Sequence, residues 1–239
     1  LALGCDARVA SAGTLVGLPE VTLGIIPGAG GTQRLPRLTG IATAIELVCA
    51  GTRVEARQAL ALGLIDALAD GELRASAVAH ARAMAGRKRR LCELAAPADD
   101  ADAVERAANA ALSAGHHRPP VQAAIAALRS CANTPIEQAL LAERAAFQNF
   151  RVGSEAFALR HLFFAEKESL KQAGFEGCAA RAVRAIAIIG AGTMGVDIAL
   201  AAMAGGFTVA LLELEPAALV AGLARLHAHF AQAVASGAL

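Results

Sequence analysis

Residues 183–213 read VRAIAIIGAGTMGVDIALAAMAGGFTVALLE. VRAIAIIG is a continuous β-type run, GAGTMG a glycine turn, VDIALAAMAGG a helix-type stretch, and FTVALLELEP a second β-type run. Strand, turn, helix and strand make one βαβ unit, and PAALVAGLARLHAHFAQAVA begins the next helix. The turn fits G-x-G-x-x-G, a weak pattern alone in a chain rich in Ala and Gly. Its setting gives it weight: a strand before, a helix after, and Glu213 at the end of the next strand, 18 positions beyond Gly195.

Each part of that pattern answers a physical need. Gly190 permits the tight turn, Gly192 lets the backbone approach a pyrophosphate, and Gly195 lets helix and strand pack closely. The helix start offers unpaired N–H groups to the anion. Glu213 would accept hydrogen bonds from adenosine ribose hydroxyls and repel a 2′-phosphate, so NAD is expected rather than NADP. Glu215 is a rival for that role, but strand alternation and spacing favour Glu213. The candidate cofactor-binding residues are thus Gly190, Gly192, Met194, Gly195 and Glu213.

Outward from this unit, the totals bound the rest. The chain has 239 residues, enough for one large domain or two modest ones. Apolar residues make up 56% and charged residues 18%, which excludes wholesale disorder. No apolar run is long and clean enough for a membrane span. With 8 Phe and neither Trp nor Tyr, aromatic platforms for stacking bases are not expected, and a net charge of +1 points to no polyanion partner. No nucleic-acid partner is therefore expected. Cys5, Cys49, Cys92, Cys131 and Cys178 are scattered without metal-ligand spacing, so no metal site is expected and reduced thiols are. The Arg87–Arg90 run reads as a solvated helix end beside the acidic stretch at 99–102.

Three zones follow from pattern. Residues 1–80 alternate short β-like runs (DARVAS, LIDALAD) with helices, among them IATAIELVCAG and VEARQALALG, closed by Gly51 and Gly63. Residues 81–182 are helical, with a helix from Val121 and one long periodic segment from Pro135 to about residue 173, expected as a spacer packing on both neighbours. Residues 183–239 hold the βαβ unit.

In the first zone, residues 17–40 read GLPEVTLGIIPGAGGTQRLPRLTG. Glu20 follows a proline and precedes a glycine cluster, surroundings that a glutamate in a surface turn would not need. The stretch resembles the signature of enoyl-CoA hydratases of the crotonase superfamily, and AGTRVEARQALALGLID continues the likeness over residues 1–80. AERAAFQNF and ALRHLFFAEKE, followed by GAGTMG, look like the bifunctional enoyl-CoA hydratase/3-hydroxyacyl-CoA dehydrogenases of fatty-acid β-oxidation.

That resemblance implies an α/β architecture. Residues 1–80 would be the C-terminal half of a crotonase (ββα-repeat) domain, 81–182 a helical linker, and 183–239 the start of a Rossmann doubly wound parallel sheet. It implies hydration of a trans-2-enoyl-CoA, an acyl-CoA thioester, followed by NAD-dependent oxidation of the 3-hydroxyacyl-CoA. Glu20 would be one of two glutamates that handle the water and the proton, two carboxyls in different protonation states facing one substrate. Gly28 would head a set of backbone N–H groups, at the helix start after Pro27, aimed at the substrate. The family's partner glutamate and oxyanion-hole amides would lie before Leu1, and the dehydrogenase histidine beyond Leu239. The chain is therefore expected to be an internal fragment, inactive alone. His80, His116, His117, His161, His227 and His229 carry no expected role.

Two other readings stand beside this one: a Δ3,Δ2-enoyl-CoA isomerase using Glu20 alone, and a non-catalytic nucleotide-binding or assembly module. A thiolase subunit is an implied partner. A bacterial cytoplasmic home is expected, with a peroxisomal one open.

Overall fold

The computed structural model describes residues 2–169, 179 and 181–235. The chain divides into two units, residues 1–172 and 173–239.

The first unit opens with a 3-10 turn (Ala2–Gly4). Strand β1 (Val9–Ala10), within the expected DARVAS run, pairs in parallel with β4 (Ala67–Leu68), the LIDALAD exit, with Val9 opposite Ala67. Strand β2 (Leu15–Gly17) pairs antiparallel with β3 (Arg53–Glu55), placing Val16 opposite Val54. Between these strands lie a 3-10 turn (Glu20–Leu23) and helices α1 (Gly31–Arg34), α2 (Pro36–Thr39) and α3 (Ile41–Ala50). Pro36 separates the two short helices: it lacks an N–H, so it suits a helix start and interrupts the one before. Gly51, at φ 62°, closes α3 in the left-handed region that glycine tolerates.

Helix α3 is the centre of this unit. Ala44, Ile45 and Val48 are fully buried against α6 (Ala101–Ala114) and α7 (Pro119–Ser130). Burying each of the two larger side chains is worth about 1.5–3 kcal/mol. Asp99 caps α3 by accepting the N–H groups of Ile41 and Ala42. Helices α4 (Ala56–Ala61) and α5 (Leu73–Ala83) flank the β1–β4 pair. The buried Arg8 ties that pair together: its Nε donates to the Leu64 carbonyl and its Nη2 meets Asp66, both at 2.7 Å.

Two expectations change. The periodic segment from Pro135 is not one helix but two, α8 (Ile136–Arg151) and α9 (Ser154–Ser169). The break falls at Val152–Gly153, where the Gly153 N–H donates to the Phe150 carbonyl at 2.9 Å. Within the first unit α8 packs against α1 and α7, and α9 against the Glu20–Leu23 turn. The remainder of that segment, from residue 170, lies outside the described residues. The basic run pairs not with the acidic stretch at 99–102 but with Asp6 (Lys88, 2.8 Å), Asp66 (Arg89, 2.7 Å) and Glu93 (Arg90, 2.9 Å).

The second unit is the βαβ arrangement read from sequence: β5 (Ala185–Ile189), α10 (Thr193–Ala204), β6 (Thr208–Leu212) and α11 (Pro216–Ala235). The strands are parallel and in register, Ala185 opposite Thr208 and Ile189 opposite Leu212. Ile188, Val196, Ala199 and Leu226 form its core. Among the described residues, no helix is long and apolar enough to cross a membrane.

Candidate functional site

Glu20 starts the 3-10 turn that Gly24 ends at φ 72°. A β-carbon on Gly24 would lie 2.9 Å from the backbone of Ala156, so α9 closes directly on the turn. From a second side, Arg118 donates through Nη2 to the Val21 carbonyl and through Nε to Glu155, both at 2.6 Å. The turn is thus fixed by its backbone, leaving the Glu20 side chain to face a cavity of about 570 Å³. Val16, Leu18, Gly28 and Leu47 contribute to the lining, with Ala2–Gly4 on one side.

The Glu20 carboxyl is half-buried, and its Oε2 is buried with no hydrogen-bond partner. Burial raises its pKa above the ordinary carboxylate range; a backbone hydrogen bond opposes this and the negative charge of Glu143 adds to it. A carboxyl that holds its proton more tightly than usual, with one oxygen free inside a largely apolar cavity, is suited to proton transfer.

Gly28 lines the same cavity, and a β-carbon there would lie 2.3 Å from Cγ of Phe147 on α8. Two other amides of this helix start are turned to a different partner. Gly30 N–H and Thr32 N–H (2.9 Å) donate to the carboxylate of Glu143, as does the Thr32 hydroxyl. The reason is economy of partners: a four-residue helix leaves its first N–H groups unsatisfied, and a buried carboxylate on α8 reaches them. Sequence reading missed Glu143, Phe147 and Arg118. A signal existed for the first two: Ala139, Glu143, Phe147 and Phe150 recur at helical spacing, so the glutamate stands in an apolar stripe.

In the second unit the three glycines differ in what surrounds them. Gly190 sits at φ 104°, and its N–H donates to the Leu212 carbonyl at 2.8 Å. Gly192 caps α10, and a β-carbon on it would meet nothing within 4 Å, which leaves room for a ligand at the helix start. Gly195 has no room at all, since a β-carbon would lie 1.9 Å from the Gly190 carbonyl oxygen. Met194 is 77% exposed beside them.

Glu213 closes the site from the end of β6. Its carboxylate accepts N–H groups from Ala191 and Leu214, both at 2.8 Å, and more weakly from Glu215. The Ala191 and Leu214 amides, in that order, hold its pKa below the usual range although it is exposed to solvent. Two residues of α11 that sequence reading passed over complete the turn. Arg225 donates to the Ala191 carbonyl at 2.7 Å, and a β-carbon on Gly222 would lie 2.7 Å from that same oxygen. His227 and His229 are exposed on α11. The open space over Gly192, the helix start and the acidic strand end suit a dinucleotide's pyrophosphate and ribose.

One unit with a partly buried carboxyl in a cavity, and another with a dinucleotide-type βαβ turn, define a two-part α/β chain. Residues 1–118 match the enoyl-CoA hydratase/isomerase family, and residues 185–239 match the 3-hydroxyacyl-CoA dehydrogenase NAD binding domain. The two matches lie on one polypeptide, the hydratase part before the dehydrogenase part. It is 34% identical over 212 residues to the peroxisomal bifunctional enzyme of Homo sapiens, covering 84% of this chain and 29% of that protein. It is 35% identical over 210 residues to the fatty acid oxidation complex subunit alpha of Shewanella frigidimarina, covering 83% and 30%. The chain thus spans about three-tenths of the length of these curated relatives.

Proposed function

We propose that the full-length protein hydrates trans-2-enoyl-CoA to 3-hydroxyacyl-CoA and oxidises that product to 3-oxoacyl-CoA with NAD, two successive steps of fatty-acid β-oxidation. The observation that carries the first step is the unpartnered, buried Oε2 of Glu20 facing a cavity. In hydration, water gives up a proton as its oxygen bonds C3, and C2 gains one. Glu20, whose burial strengthens its hold on a proton, delivers one to C2; the partner glutamate that the resemblance places before Leu1 takes the proton from water. General acid–base help of this kind is worth about 10²–10⁴-fold. Gly28 borders the substrate with its backbone, while the space of its missing side chain is taken by the Phe147 ring.

For the second step, NAD when bound would supply the hydride acceptor for C3 of the 3-hydroxyacyl group, and the hydroxyl proton would pass to the histidine that the resemblance places beyond Leu239. Gly190, Gly192 and Gly195 shape the turn that would receive the pyrophosphate, Met194 would border it, and Glu213 would hold the ribose. We read residues 1–80 as the crotonase part, 81–182 as the helical linker and 183–239 as the start of the Rossmann part, with α8 and α9 of the linker forming the back of the Glu20 site. A thiolase is a fitting partner because 3-oxoacyl-CoA is the substrate that thiolases cleave. A bacterial cytoplasmic location is supported by the scattered spacing of the cysteines along the sequence.

A second reading has one observation in its favour. Among the described residues that line the cavity, Glu20 is the only carboxylate, which suits a Δ3,Δ2-enoyl-CoA isomerase that shuttles one proton and adds no water. The test is to offer the full-length protein a 2-enoyl-CoA with NAD, and separately a 3-enoyl-CoA. Loss of the conjugated-enone absorbance followed by NADH formation is the expected result. NADH formation only from 3-hydroxyacyl-CoA would overturn the hydratase half, and positional isomerisation without hydration would establish the second reading.

A further inference from the structure

Glu143 is a buried carboxylate that the proton transfers above leave unused. It is 2% exposed and lies on α8, 113 residues from Gly30 along the chain. Burying a carboxylate is unfavourable unless donors answer its lone pairs, and here three converge: Gly30 N–H on Oε1, Thr32 N–H and the Thr32 hydroxyl on Oε2. One helical turn further along α8, Phe147 packs on Gly28. Helix α8 therefore grips both ends of the segment that walls the Glu20 cavity.

We infer that Glu143 is a positioning residue for the Glu20 cavity, fixing from α8 the wall that runs from Gly28 to Thr32. The inference rests on the reading of Glu20 as a proton donor. It also has an electrostatic side. The charge of Glu143 opposes ionisation of Glu20. The other charged groups around the cavity and its turn are already engaged. Arg8 pairs with Asp66, Arg34 donates to the Ala29 carbonyl, and Arg118 is paired with Glu155. Glu137 and Arg144 stand with Glu143 around a shallow depression on the outer side of the wall.

The test compares Glu143→Gln and Glu143→Asp with the wild type in the full-length protein, reading hydration and NAD-dependent oxidation separately. A glutamine cannot accept at both oxygens, so hydration kcat/KM should fall roughly tenfold or more, the scale of a lost charged hydrogen bond. Removing the charge should also move the alkaline limb of the hydration pH profile to lower pH, because Glu20 then ionises more readily. The aspartate, which keeps the charge, should leave that limb in place even where its shorter reach costs rate. Oxidation of 3-hydroxyacyl-CoA should be unchanged in both variants and reports that the protein is folded. Wild-type hydration with an unmoved limb in Glu143→Gln overturns the inference, and so does a lower rate with an unmoved limb, which marks a merely structural role. Absence of hydration in the wild type overturns the reading of Glu20 itself and the inference with it.

Discussion

Gly195 stands against Gly190 so closely that a β-carbon on it would lie 1.9 Å from the Gly190 carbonyl oxygen, whereas one on Gly192, three residues earlier, would meet nothing within 4 Å. The same residue type thus serves opposite ends: at one position it lets backbone meet backbone, at the other it keeps a space open. Gly195→Ala should disrupt the turn and abolish NAD binding together with the thermal transition of the second unit. Gly192→Ala should leave that transition intact and still weaken NAD binding by about tenfold or more, because the methyl occupies the approach to the helix start. Calorimetric titration with NAD, alongside a thermal melt of each variant, separates the two outcomes.

Glu213→Ala should weaken NAD binding and narrow the preference for NAD over NADP. The direction follows from removing the one carboxylate at the strand end, and a loss of about tenfold in NAD affinity is the scale of a charged hydrogen bond. Arg225→Ala should have a smaller effect on NAD and none on the NADP ratio, since Arg225 touches the Ala191 carbonyl and carries no role at the ribose. Titrations of both dinucleotides against both variants check this pair.

Glu20→Gln should reduce hydration by about 10²–10⁴-fold while leaving NAD-dependent oxidation unchanged. The same substitution should stabilise the first unit at neutral pH. Burial raises the folded-state pKa of Glu20, so its contribution to stability is fully present below the unfolded value and is lost as pH rises through the folded value. The advantage of the glutamine in melting temperature should therefore be present at pH 7 and vanish below about 4.5, the ordinary value for a glutamate. Melts across that range decide it.

Gly28→Ala should destabilise the first unit by about 1–3 kcal/mol, the usual cost of overpacking, because its methyl would press on the Phe147 ring. Adding Phe147→Ala should recover part of that loss, since the removed ring vacates the space. A double-mutant cycle by denaturant unfolding measures the coupling; additive losses would show that the contact does not matter.

The sequence was most legible where structure is local. The βαβ unit announced itself through β-type runs, a glycine turn and helix-type spacing, and β5, α10 and β6 fall where those signals put them. The short helices closed by Gly51 and Gly63 were readable for the same reason, as was Glu20, flanked by Pro19 and the glycine cluster. The long periodic segment misled at one point. Periodicity runs straight through Val152 and Gly153, and only the packing of α9 on the Glu20 turn shows why the chain bends there.

What the sequence alone determined is the pair of sites: a carboxylate set in a rigid turn, and a glycine turn facing an acidic strand end. Both depend on backbone conformations that a few neighbouring residues dictate. What only tertiary structure decided is how the first site is held. Glu143 reaches Gly30, Phe147 meets Gly28, Ala156 meets Gly24 and Arg118 meets Val21, all across separations of 97 residues or more. Helical spacing reports that one face of α8 is buried, but it carries no information about which backbone amides that face will meet.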